Sequence, residues 1–248
     1  MYNMLIVEDE VIQSQFLINS IAKEIPEIRI CNIASTGLDA INTIKDELAD
    51  IILLDLKLPD ITGIDVIDFI SKRNIKKYKN SILVITAEMN LLSEIVGNPY
   101  VFSYNSKIYG IEPIIENINR LLVEKKETDN DNVLMQNIND ELNKLNYNFT
   151  YVGTRYLAEC IYESYHKINK YDVNLNRDIY PIISQKYSKS INSIKTNINQ
   201  ATNIMYFDAE EKLLFKYFGY NITCKPKPKD IIFKIMENID QRLTINCQ

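Results

Sequence analysis

Four apolar runs, Met4-Leu5-Ile6-Val7, Ile51-Ile52-Leu53-Leu54, Ile82-Leu83-Val84-Ile85 and, more weakly, Tyr100-Val101-Phe102, each end abruptly in polar residues. Continuous β-branched and leucine runs of this length predict strands buried on both faces. Strands are expected near 3–7, 28–34, 51–55, 82–86 and 100–104. Amphipathic stretches between them predict helices near 11–24, 38–48, 63–73, 88–96 and 111–125. Five strand–helix units joined by right-handed crossovers make an α/β domain: a doubly wound, five-stranded parallel sheet of the flavodoxin-like kind.

The polar segment 126–132 reads as a linker. Beyond it the pattern is wholly helical, with helices expected near 133–146, 154–169, 175–187, 191–206, 208–218 and 229–243. The third and fourth, separated by Ser188-Lys189-Ser190 with Ser190 placed to cap the second, read as a helix-turn-helix at about 175–206. With 248 residues the chain has room for two cores, 1–125 and 133–248.

Four of the five strands end in chemistry. Glu8 and Asp9 follow the first run, Asp55 the third strand, Thr86 the fourth, and Lys107 the fifth. Ligands of open α/β sheets bind just beyond the carboxyl ends of the strands, so three carboxylates, a hydroxyl and an ammonium should share one crevice. Phosphoryl transfer to an aspartate needs the phosphoryl charge neutralised, and Mg2+ held by a few oxygens does this. Asp9 and Asp55 are candidate direct ligands, with Glu8 through water and the backbone carbonyl of Lys57 completing the set. Taken singly, these residues also read as helix caps, a strand end and a solvated lysine; their common register favours a site.

Residues 1–125 resemble the receiver domains of two-component response regulators. The matching features are Val7-Glu8-Asp9-Glu10, Leu54-Asp55-Leu56-Lys57-Leu58-Pro59-Asp60 with Gly63, Ile85-Thr86-Ala87 and Lys107. The resemblance implies that Asp55 is the phosphoacceptor, that Glu8 and Asp9 form the acidic pair, and that Thr86 and Tyr104 relay the change. It also implies a histidine kinase or phosphotransfer protein as donor, and a homodimer when phosphorylated. One departure is Ile108, where the family usually has a proline that is often preceded by a cis bond.

In the second half Ile191, Ile194, Ile198, Ala201 and Met205 form one helical stripe. The opposite face, with the preceding turn, offers Lys189, Ser190, Asn192, Ser193, Lys195, Thr196, Asn199, Gln200 and Asn203. Amides match adenine in the major groove of double-stranded DNA, and hydroxyls and lysine reach bases or phosphates. A merely solvated face fits the helix equally well. Lys225, Lys227 and Lys229, spaced by prolines, fit either a phosphate clamp or a solvated connector. Residues 133–243 resemble the effector domain of stage 0 sporulation protein A, through Tyr151-Val152-Gly153-Thr154-Arg155-Tyr156-Leu157, the segment Ile179 to Tyr187, and Phe218-Gly219-Tyr220 before Lys225-Pro226-Lys227-Pro228.

The whole chain is thus similar to a sporulation-regulator-like response regulator: an α/β receiver followed by an all-α helix-turn-helix effector. The family likeness further implies contact with the sigma subunit of RNA polymerase. Where that family has arginines, this chain has Ser193, Thr196 and Asn199, with Lys195 in place of an acidic residue. A divergent paralogue reading a more A·T-rich site is expected. The competing reading is a phosphorylation-dependent interaction module that no longer binds DNA specifically.

Charge and composition add modest weight. Residues 1–130 carry 13 Lys and Arg against 20 Asp and Glu, and residues 131–248 carry 15 against 13, so the acidic half is the predicted phosphorylation domain. No apolar run reaches the ~20 residues of a membrane span. The first strand starts too early for a signal peptide. Cys31, Cys160, Cys224 and Cys247 are scattered, with His166 the sole histidine, so reduced thiols and a cytoplasmic, non-enzymatic protein are expected.

Overall fold

A computed structural model describes the fold over residues 1–245. The chain forms two compact units, Met1–Glu127 and Thr128–Gln248.

The first unit is built on strands β1 (Tyr2–Val7), β2 (Ile28–Ala34), β3 (Ile51–Asp55), β4 (Ile82–Thr86) and β5 (Val101–Ser106). All pair in parallel, in the order β2-β1-β3-β4-β5. Successive side chains on a strand point to opposite faces, and both faces here are covered. Ile52 and Leu54 pack toward helices α2 (Gly37–Lys45) and α3 (Gly63–Lys72). Ile51 and Leu53 pack toward α1 (Val11–Glu24) and the first part of α4 (Glu112–Lys144). A strand buried on both sides has no polar position to spare, which explains the unbroken apolar runs.

Three expectations for the first 132 residues are corrected. The helix expected at 88–96 is a 3-10 segment over Met89–Glu94. Leu92 and Ile95, the residue that closes the segment, face inward three apart, the spacing at which 3-10 side chains eclipse, and Gly97 with positive φ lies in the turn that follows. β5 runs on to Ser106, beyond the expected 104, because Asn105 and Ser106 are buried despite being polar; Asn105 Oδ1 accepts from Asn117 Nδ2 at 2.7 Å. The segment 126–132 is helical, lying within α4. It contains no glycine or proline, and its polar side chains cost a helix only tenths of a kcal/mol each, up to ~0.7.

The second unit comprises the end of α4 with α5 (Val152–Tyr165), α6 (Tyr180–Tyr187), α7 (Ile191–Asp208), α8 (Glu211–Phe218) and α9 (Pro228–Ile245). Its core gathers Ile138, Leu142, Leu157, Ile161, Ile183, Ile194, Ile198 and Ile235. The helix expected from 175 begins as a wider π turn over Leu175–Ile179. Pro181 has no N–H to offer a preceding carbonyl, so the α-helix starts at Tyr180. The turn between α6 and α7 has the expected form. Ser188 closes α6 in the left-handed conformation, Lys189 N donates to Ser184 O at 3.1 Å, and Ser190 Oγ accepts from Ser193 N at 3.2 Å. Cys31, Cys160 and Cys224 are free thiols, and Cys247 lies outside the described residues.

Candidate functional site

The parallel register places four strand ends side by side: Val7 pairs with Leu54, Asp55 with Ile85, and Thr86 with Ser106. The residues at or just beyond these ends converge. Lys107 Nζ lies 2.5 Å from Asp55 Oδ2 and 2.7 Å from Glu8 Oε2. Glu8 and Asp55 are buried, whereas Asp9 is exposed. Ile108 follows Lys107 through a trans peptide bond, so the missing proline does not turn the ammonium away.

Burial raises the pKa of Glu8, against the hydrogen bond and charge of Lys107. Burial also acts to lower the pKa of Lys107, but its bonds to Asp55 and Glu8 outweigh that effect and raise it, so the ammonium stays charged. The buried carboxylates therefore hold one fixed counter-charge. Oxygens of Glu8, Asp9 and Asp55 lie within 4.8 Å of one another. A cluster of hard carboxylate oxygens suits Mg2+, which takes few protein ligands and keeps several waters. The donor set fits the ion.

The surrounding backbone holds Asp55 in place. Lys57 N–H donates to Asp55 Oδ1 at 3.2 Å, while the Lys57 ammonium pairs with Glu88 Oε1 at 3.4 Å. Gly63 N donates to Leu56 O at 2.9 Å, and a Cβ at Gly63 would stand 2.4 Å from the Asp55 carbonyl oxygen. Only glycine lets α3 start so close to that strand end. The Asp60 carboxylate accepts from Gly37 N (2.7 Å) and Leu38 N (2.9 Å), tying the same loop to α2. Thr86 is fully buried and its hydroxyl accepts from Glu88 N at 3.0 Å. Tyr104 is half-exposed on β5. Glu88 was not among the expected site residues. Its position two after Thr86 was the available signal.

The second group of expected residues splits. Asn192, Thr196, Asn199 and Gln200 are exposed on α7, with Lys189 and Ser190 in the exposed turn before it. Ser193, Lys195 and Asn203 are half-buried. Asn203 Oδ1 accepts from Lys225 Nζ at 2.7 Å, so these two engage each other. Lys227 and Lys229 are exposed at the start of α9. His166 Nδ1 lies 2.9 Å from Tyr162 O and Nε2 3.1 Å from Asp131 Oδ1, a structural pairing. Among the described residues no helix is long and apolar enough to cross a membrane.

Two family models match the chain: the response regulator receiver domain over residues 4–96, and the sporulation initiation factor Spo0A C-terminal domain over residues 138–239. The regulatory protein LuxO of Vibrio vulnificus is 58% identical over 36 residues, 14% of this chain and 8% of that protein. Stress response regulator protein 1 of Scheffersomyces stipitis is 31% identical over 105 residues, 41% of this chain and 36% of that protein. The chain thus spans well under half the length of these curated relatives. A DNA-binding response regulator of the LuxR family from Staphylococcus aureus is 25% identical, with TM-score 0.44 over 49% of this chain and 98% of that one. Response regulator TrrA of Thermotoga maritima, solved in complex with Mg2+ and BeF, is 23% identical, with TM-score 0.42 over 49% of this chain and 99% of that one. With both family matches in one chain and in this order, the protein belongs to the Spo0A-like response regulators, carrying a receiver domain and a Spo0A-type C-terminal domain.

Proposed function

We propose that the chain is a phosphorylation-controlled, DNA-binding transcription regulator. The observation that carries this reading is the convergence of Glu8, Asp9, Asp55 and Lys107 at the sheet's carboxyl end. An Asp55 carboxylate oxygen attacks the phosphorus of a phosphohistidine or phosphoaspartate on a kinase or phosphotransfer protein. The donor's bond to phosphorus breaks and an acyl phosphate forms. A bound Mg2+ supplies charge neutralisation at the phosphoryl oxygens. Lys107, already on Asp55, transfers its hydrogen bond to a phosphoryl oxygen. The Thr86 hydroxyl, which accepts from Glu88 N, turns its O–H to donate to a phosphoryl oxygen, and Tyr104 moves with it.

Such a relay works only if phosphate discriminates between two states, typically by about 1–3 kcal/mol. The phosphorylated form pairs with a second copy, and the α6–turn–α7 unit enters the major groove of DNA. Contact with a sigma subunit of RNA polymerase belongs to the same reading.

Two outcomes test it. Added Mg2+ is expected to raise the thermal stability of the full chain by about 2.7 kcal/mol at a hundred times its dissociation constant. Asp9→Asn should abolish most of that gain in a thermal melt. Because burial raises the pKa of Glu8, the gain should shrink as pH falls through that value. Selection of binding sites from random duplexes is expected to return an A·T-rich box. Arginine normally reads guanine, each such contact giving about 1–3 kcal/mol of discrimination, and α7 carries none. Recovery of a guanine-centred box would overturn the expected preference. The absence of arginine on α7 also favours the second reading, an interaction module without specific DNA binding, and no selected box at all would support it.

A further inference from the structure

Lys107 stands where β5 ends and a single 3-10 turn, Lys107–Tyr109, begins. A lysine ammonium rides on a flexible four-carbon stem, so its reach depends on how the backbone launches it. Before Lys107 the chain is held firmly. Ser106 is buried and paired in register with Thr86 of β4, and Asn105 is tied to Asn117 at 2.7 Å. After Lys107, burial contributes little. Ile108 is 76% exposed and Tyr109 73%, and Gly110 follows in the left-handed region at φ 80°. Side chains left in water cannot anchor a turn by the hydrophobic effect. Hydrogen bonds hold it instead. Ser106 Oγ accepts from Ile108 N at 3.3 Å, and Gly110 N donates to Lys107 O at 3.4 Å. The first bond caps one of the orphan N–H groups that open a helical turn, and it spans Lys107.

We propose that Ser106 is a positioning residue for phosphoryl transfer at Asp55, acting through Lys107. The inference rests on the phosphorylation reading and goes one residue beyond it. The Ser106 hydroxyl fixes the turn, and the turn aims the ammonium at Asp55 Oδ2 and Glu8 Oε2, 2.5 and 2.7 Å away. When the acyl phosphate forms, the ammonium passes from Asp55 to a phosphoryl oxygen. With the turn fixed, side-chain rotation alone achieves this. Without the cap, the two carboxylates still attract the ammonium, but the backbone behind it samples other directions. The arrangement needed in the transition state is then populated less, and rate follows that population. The bond also needs an N–H on residue 108, which isoleucine has and proline lacks.

The test is the rate at which the full-length protein takes up label from acetyl phosphate with Mg2+, followed by intact-protein mass spectrometry. Ser106→Ala is expected to lower the maximal rate about fivefold, within the range one backbone hydrogen bond commands, at an unchanged half-saturating donor concentration. Ser106→Thr keeps an acceptor oxygen and should label within about twofold of the wild type. Two backgrounds separate positioning from packing. Ile108→Pro removes the donor N–H, and Lys107→Gln removes the group being positioned. Adding Ser106→Ala to either should slow labelling no further, whereas a packing role would cost as much there as in the wild type. Wild-type labelling by Ser106→Ala overturns the inference, and so does a change confined to the half-saturating concentration. A full fivefold loss in either background, or Ser106→Thr as slow as Ser106→Ala, overturns it too. Each of these leaves the phosphorylation reading standing. A wild-type protein that takes up no label overturns both.

Discussion

Asp55→Asn protein is expected to take up no label from a small phosphodonor such as acetyl phosphate, under conditions in which the wild type labels readily. The substitution preserves shape. The amide oxygen can still accept from Lys57 N–H, which donates to Asp55 Oδ1 at 3.2 Å, and the buried position is still filled. What it removes is the anionic oxygen that attacks phosphorus. The neighbouring carboxylates are poor substitutes. Glu8 is pinned by Lys107 Nζ at 2.7 Å and receives a 3.4 Å hydrogen bond from Glu10 N. Asp9 is exposed and beyond the strand end. The DNA affinity of the variant should also stop responding to the phosphodonor, since the discrimination between states originates at this atom. Equal labelling of wild type and Asp55→Asn, measured by intact-protein mass spectrometry, would remove Asp55 from the mechanism. Residual label mapping to Asp9 would mean that the donor reaches the crevice but the nucleophile has been misassigned.

The receiver half was legible because its strands are buried on both faces. Such strands leave unbroken runs like Ile51 to Leu54, and the functional residues stand at the ends of those runs, where register brings them together. Legibility faded wherever polarity and burial part company. Asn105 and Ser106 are polar yet buried, so β5 looked two residues too short. Segment 126–132 is polar and helical, because a helix needs the absence of breakers more than the presence of an apolar face when its two ends are anchored elsewhere. Ile114 and Ile118 anchor one end; Ile138 and Leu142 anchor the other.

Pairings between distant residues left still less trace. Nothing in composition tied Lys57 to Glu88 or Lys225 to Asn203, and those contacts decide which side chains remain free for a ligand. The exposed face of α7 is the clearest instance. Lys195 reads as one more polar residue of a stripe until the fold sets it against Tyr180, beside the start of α9. Its chemistry follows from its neighbours as much as from its helix.

Gly153→Ala should be the most damaging single-methyl change in the second unit. The helix pair α5 and α7 packs so closely at this point that a Cβ on residue 153 would stand 1.9 Å from the carbonyl oxygen of Asn197 and 3.0 Å from the Ala201 side chain. The obstacle is helical backbone, which cannot rotate aside as a side-chain tip can. Alanine should gain about 1 kcal/mol of helix propensity over glycine at an unobstructed position, so the expected sign is opposite to that of an ordinary surface exchange. Overpacking against backbone typically costs 1–3 kcal/mol and sometimes more, and a net loss of about 2 kcal/mol is expected here. For a unit of this size that corresponds to a melting temperature lower by roughly 10 °C. The damage should reach function, because the helix pushed away is the one that presents Asn192, Thr196 and Gln200. DNA affinity of the folded variant, measured well below its melting point, is expected to fall, whereas phosphodonor labelling of Asp55 in the other unit should persist. A Gly153→Ala protein with unchanged melting temperature and unchanged DNA affinity would mean that α5 and α7 do not meet as closely as this packing requires.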